Sequence, residues 1–200
     1  MFTRLLPAAL AACLLTTAAV GQGAPPTRIR GTIAALNGQT LTVATREGAN
    51  VDVMLGDKLT VSTVKRVDLA DIKPGAYVGI ATRTAGGEQQ AIEVLVFPDT
   101  MRGVGEGHYP WDLEPGSMMT NGTVTGTVVA KSGEELSLSF KGDSNKIVLP
   151  PGVPIVTFAP ADKSDLKPGA KVMFGATKDA EGKFAASRIT VEKDGVAPPM

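Results

Sequence analysis

Cysteine is almost missing from this chain, with one in 200 residues, at position 13, and histidine and tryptophan also occur once each. One Cys and one His exclude a structural zinc site, an iron–sulfur cluster and a disulfide framework, each of which needs several such side chains. A dominant charge is missing too. Twenty Lys and Arg balance twenty Asp and Glu with no basic run, so there is no electrostatic footprint for DNA or RNA. The 43% of apolar residues is too many for a disordered chain. After residue 25 Gly, Thr, Lys or Asp breaks every apolar run within a few residues, well short of the ~20 residues of a membrane helix.

The N-terminus differs. Residues 1–21 place Arg4 before an apolar stretch from Leu5 to Val20 and end with Ala19 and Gly21 at the small-residue positions of a cleavage site. This pattern predicts a signal peptide cut between Gly21 and Gln22 and a periplasmic mature protein without cysteine. Leu10-Ala11-Ala12-Cys13 offers a second reading, a lipobox that would leave Cys13 lipid-anchored.

The rest of the chain is self-similar. Asp71-Ile72-Lys73-Pro74-Gly75-Ala76-Tyr77-Val78 returns as Asp165-Leu166-Lys167-Pro168-Gly169-Ala170-Lys171-Val172, with six of eight positions identical. Gly31-Thr32-Ile33 matches Gly126-Thr127-Val128, and Asn37-Gly38 matches Ser132-Gly133. Ala91, Leu95 and Phe97 fall on Ala185, Ile189 and Val191. The spacing predicts a repeat at 28–98 and another at 122–193.

Inside each unit, short alternating runs rich in β-branched residues are divided by Gly-containing turns, which predicts strands at 29–36, 40–46, 51–55, 61–65, 76–82 and 90–97, and again from 134 onward. Asn37-Gly38 is a hairpin signal. Pro74-Gly75 and Pro168-Gly169 stop a single helical turn and redirect the chain, with Ile72 or Leu166 plugging a core. The expected fold is all-β, two tandem small OB-like β-barrels, each with one short helical turn.

These motifs resemble the exported bacterial OB-like repeat proteins of unknown function. A looser similarity runs to the periplasmic copper and silver chaperones of the Cus efflux system, small OB barrels with a comparable lysine-glycine turn. That resemblance implies a metal held by Met and His near a Trp, but neither unit has the matching set on its strands.

Between the units, 99–121 gathers the chain's His, its Trp, one of two Tyr and three of seven Met. Linkers avoid such side chains. One reading makes the segment a Cu(I) or Ag(I) site, with Met101, His108, Met118 and Met119 as soft ligands and Trp111 over the ion. The other has Trp111, Tyr109 and the methionines plugging a seam between barrels while Glu106, Asp112 and Glu114 face water. Gly103-x-Gly105-x-Gly107 lacks the helix and Lys-Ser/Thr of a phosphate loop. Asn121-Gly122-Thr123 fits a glycosylation pattern but reads as a turn. His108 with Asp112 lacks a Ser or Cys in a nucleophile context, so no enzyme is expected. The functional expectation is a non-enzymatic binding or interaction protein, its partner an envelope protein or small ligand, with soft-metal binding as the alternative.

Overall fold

A computed structural model describes residues 26–130, 133–179 and 181–198; the expected signal peptide and Cys13 lie outside the described residues. The fold is all-β, as expected. Its strands are β1 (Thr27–Asn37), β2 (Thr40–Thr45), β3 (Asn50–Arg66), β4 (Tyr77–Ala85), β5 (Glu88–Val96), β6 (Gly107–Pro110), β7 (Met118–Ala130), β8 (Gly133–Phe140), β9 (Asp143–Leu149), β10 (Ile155–Pro160), β11 (Lys171–Lys178) and β12 (Phe184–Val191). The runs expected at 51–55 and 61–65 merge into β3, because Gly56-Asp57-Lys58 continues extended instead of turning. Three 3-10 turns, Leu69–Asp71, Asp99–Met101 and Lys163–Asp165, are the only helical pieces among the described residues.

The pairing does not follow the expected boundaries 28–98 and 122–193. β1 pairs with β2, β2 with β3, β3 with β12, β12 with β11, and β11 returns to β1, closing a five-stranded barrel from both ends of the chain. Closure leaves this circuit without free edges. The middle of the chain forms a second set in the order β5-β4-β7-β8-β9, whose outer strands meet at one pair, Gln90 with Val148. β10 bridges the two, antiparallel to β3 and parallel to β5. The physical reason lies in register. After the Lys-Pro-Gly turn, the Gly169 N–H donates to Ile33 O and the Ile33 N–H to Ala170 O (2.8 and 2.9 Å), whereas Gly75 and Ala76 make the same two bonds with Val124 at 2.8 Å each. Each turn thus locks onto a strand far away in sequence. Asp71 and Asp165 brace these turns by accepting the backbone N–H groups of Asp68 (3.2 Å) and Asp162 (2.9 Å).

The cores follow the same partition. Ile33, Leu41, Val53, Leu166, Val172 and Ile189 fill the barrel, and Ile72, Val78, Ile80, Val94, Leu136 and Ile147 fill the second set. Leu166 and Ile72 are buried plugs, as the motif predicts, but each plugs the strand set that its turn docks onto. Register also corrects the upstream match. Ile33 and Val124 are both buried at 1%, while Val128 is 55% exposed, so Gly31-Thr32-Ile33 has its counterpart in Gly122-Thr123-Val124 and not in Gly126-Thr127-Val128. A Cβ on Gly31 would stand 2.2 Å from Ala44 O, and one on Gly122 2.7 Å from Ser139 O; at Gly126 it would meet nothing. Glycine is required at the first two positions because backbone crosses backbone there.

Candidate functional site

The central segment is built onto both strand sets. β6 pairs with the start of β7, His108 opposite Thr120 and Tyr109 opposite Met119. On the second set, the Tyr77 hydroxyl donates to Val104 O (3.1 Å), Asn121 Nδ2 donates to Val104 O and Tyr109 Oη (3.2 Å each), and the Lys141 N–H donates to Glu106 Oε1 (3.0 Å). Burial pushes the Tyr77 phenol up to about 12, which keeps its proton available for that bond. Buried Ser117 ties the 111–117 loop, its hydroxyl 2.7 Å from Glu114 O and 3.0 Å from Trp111 O.

On the barrel side, three arginines from β1 and the end of β2 hold the loop. Asp112 bridges Arg28 (2.8 Å) and Arg30 (2.6 Å), and Arg46 donates to Asp112 O (2.7 Å) and Leu113 O (2.9 Å). The Arg28 guanidinium also lies 3.7 Å over the Trp111 ring, within cation–π range. Partial burial alone would raise Asp112; hydrogen bonds from Arg30 and Arg28 overcome it and hold the carboxyl below its usual range. The Arg30 side chain is only 2% exposed, so Asp112 compensates a buried cation.

Beneath the segment lies a mostly apolar cavity of about 230 Å³. Its floor follows from the alternation of β4, where the large Val78 and Ile80 point into the core and the small Gly79 and Ala81 point out. Gly79 sits between Leu95 of β5 and Asn121 of β7, and Ala81 between Glu93 and Met119. Over Gly79 the space is taken by Asn121 Oδ1 and Phe97 Cε2, 2.6 and 3.0 Å from where a Cβ would stand, so the hollow opens beside the small Ala81. Met101, Val104 and Trp111 cover it, and Phe158 and Met173 close it from β10 and β11. Glu93 is the one titratable group in this lining, and desolvation raises its carboxyl to about 7, with nearby Arg30 acting in the opposite direction. Two further buried atoms of lining residues, Trp111 Nε1 and Asn121 Oδ1, have no hydrogen-bond partner among the described residues.

The structure divides the soft-metal set. Met101 and Met119 line the cavity, but Met118 and His108 sit at strand positions that face the other way. His108 Nδ1 lies 2.8 Å from Thr120 Oγ1, and its ring stacks on Phe140 with centroids 6.3 Å apart. The four side chains therefore do not converge, and among the described residues no three His, Asp or Glu side chains lie together as metal ligands. Tyr109 and Trp111 meet edge to face at 6.1 Å, between the two strand sets. The three acidic residues are not simply solvated, since Glu106 binds the Lys141 N–H, Asp112 binds Arg28 and Arg30, and Glu114 lies 3.9 Å from Arg83. Asn121 is a buried strand residue and not a turn. Pro74-Gly75 and Pro168-Gly169 do stand in turns.

Sequence reasoning missed Glu93 and Arg30. A signal for Glu93 was present: between Ala91 and Phe97 it is the one charged residue, alternating with Leu95 and Phe97 while Ile92, Val94 and Val96 are apolar as well. A single carboxylate in a stretch apolar on both faces marks burial. Comparison of the chain with protein-family models, with curated proteins and with solved structures finds no match. None therefore bears on the OB-like or copper-chaperone resemblance.

Proposed function

We propose that this chain is an exported, non-enzymatic binding protein whose ligand is a small, largely apolar molecule held between the barrel and the second strand set. One observation carries the reading, the cavity walled by β4, β5, β7, β10, β11 and the central segment. Junctions between packed units are common ligand sites, and a volume below the ~300–1,000 Å³ of pockets for drug-sized molecules suits a small ligand. Export rests on residues 1–21 and the OB-like, duplicated ancestry on the paired Lys-Pro-Gly-Ala motifs. In this reading the Trp111 and Asp112 contacts hold the cover in place.

The test is titration of the chain with benzyl alcohol, a neutral aromatic probe, read by the fluorescence of its single Trp. Saturable binding is expected, and Ala81→Phe, which fills the cavity floor, abolishes it without lowering the melting temperature. No binding, or binding unchanged in Ala81→Phe, overturns the reading. A soft-cation alternative takes a new form, because Met101, Met119 and Met173 line the same space and offer thioethers without His108. Competition for Cu(I) against a chelator, weakened by Met119→Leu, would move the function there.

A further inference from the structure

We propose that the cavity selects an organic cation, a small aromatic or aliphatic ammonium whose charge pairs with Glu93 and whose apolar body lies against Phe97, Phe158 and the methionines. The inference rests on the cavity being a ligand site. It starts from an imbalance in the wall. Eleven of the twelve lining residues carry no charge, and the twelfth is a carboxylate for which the described residues supply no hydrogen bond or salt bridge. An ionised carboxylate in such surroundings costs free energy unless a cation or a proton neutralises it. The apolar wall also rejects a second anion, since like charges cannot share a desolvated site.

One charged side chain acts on Glu93. It is Arg30 of β1, on the barrel side, which shares the Asp112 carboxylate with Arg28 (2.6 and 2.8 Å) and lies outside the cavity lining. β4 presents Ala81, β10 Phe158, β11 Met173 and the cover Met101, Val104 and Trp111, none of them titratable. Phe97 and Phe158, with centroids 6.2 Å apart and planes tilted by 52°, put two aromatic rings in the same wall. Aromatic faces with a carboxylate form the usual chemistry of ammonium recognition. With the cavity empty, burial favours the neutral acid, so the proton and the cation compete for one group.

The experiment compares three probes of nearly equal size, benzylammonium, benzyl alcohol and benzoate, on the full chain at about pH 5.5 and about pH 8.5, on either side of the Glu93 transition. At the higher pH benzylammonium binds about tenfold more tightly than benzyl alcohol and benzoate binds weakest; at the lower pH the cation's advantage shrinks. Glu93→Gln removes the preference and its pH dependence but keeps benzyl alcohol binding. Equal affinities for alcohol and ammonium, or a preference for benzoate, overturn the charge assignment while the cavity stands as an apolar site. If no probe binds, the ligand-site reading falls and the inference falls with it.

Discussion

The β1–β2 hairpin of the barrel and the β7–β8 hairpin of the second set begin alike and end differently. Both cross a neighbour through glycine, both bury the residue two positions on, and both carry a bulge just after it, between Ile33 and Ala35 and between Val124 and Gly126. Beyond the bulge the first runs three paired positions to its turn and the second runs five, which carries Val128 into solvent. The closing seams differ as well. β3 and β12 pair at six positions and β5 and β9 at one. Closure geometry is kept where backbone meets backbone, whereas hairpin length and seam length vary because solvent sets no limit on them.

The largest expected effect tests that register. Gly31→Ala and Gly122→Ala each force a methyl against a carbonyl oxygen and should cost about 3 kcal/mol, while Gly126→Ala should stay within about 0.5 kcal/mol. Urea unfolding of the three variants decides it. If Gly126→Ala proves as damaging as Gly31→Ala, the sequence match to Gly126 is the true one and the register described above is wrong.

Two groups, Glu93 of the second set and Asp112 of the cover, respond to pH with opposite signs. Glu93 of the second set is raised in the folded state, so its contribution is complete below about 4.5 and is lost as pH climbs through about 7. That loss should reach about 2–3 kcal/mol, and Glu93→Gln should flatten this part of a stability-versus-pH curve. Asp112, which clamps the cover to the barrel, is lowered in the folded state. Its contribution is present above the ordinary value of 3.8 and fades as pH falls through the lower folded value. Asp112→Asn should cost about 1–2 kcal/mol at neutral pH, less than full loss of a buried pair because Asp112 itself is half exposed. Hydrogen exchange at Trp111 and Ser117 should accelerate in this variant while exchange in Val43 and Ile189 stays slow.

Strand character, both Lys-Pro-Gly turns and the buried Ile72 and Leu166 were readable from alternation and turn chemistry, which are local. Partner choice was not. Gly-Thr-Val occurs at both 122–124 and 126–128, and nothing within either tripeptide says which one faces a carbonyl. The central segment stands out by its residue types, but its chemistry depends on which neighbours face one side of a pleat. Strand pairing sent His108 and Met118 one way and Met119 the other. Glu93 and Arg30 gain their meaning only from burial across the seam, by strands distant in the chain.

The barrel's use of both ends of the chain bears on how the protein folds. Val53 pairs with Phe184, and Thr27 with Ala176, so closing the barrel joins strands from opposite ends of the described chain. The second set, complete by Leu149, can fold first and become a platform on which the remaining strands dock. Until β11 and β12 dock, β1 and β3 keep open edges, so closure of the barrel is a late, long-range step of folding.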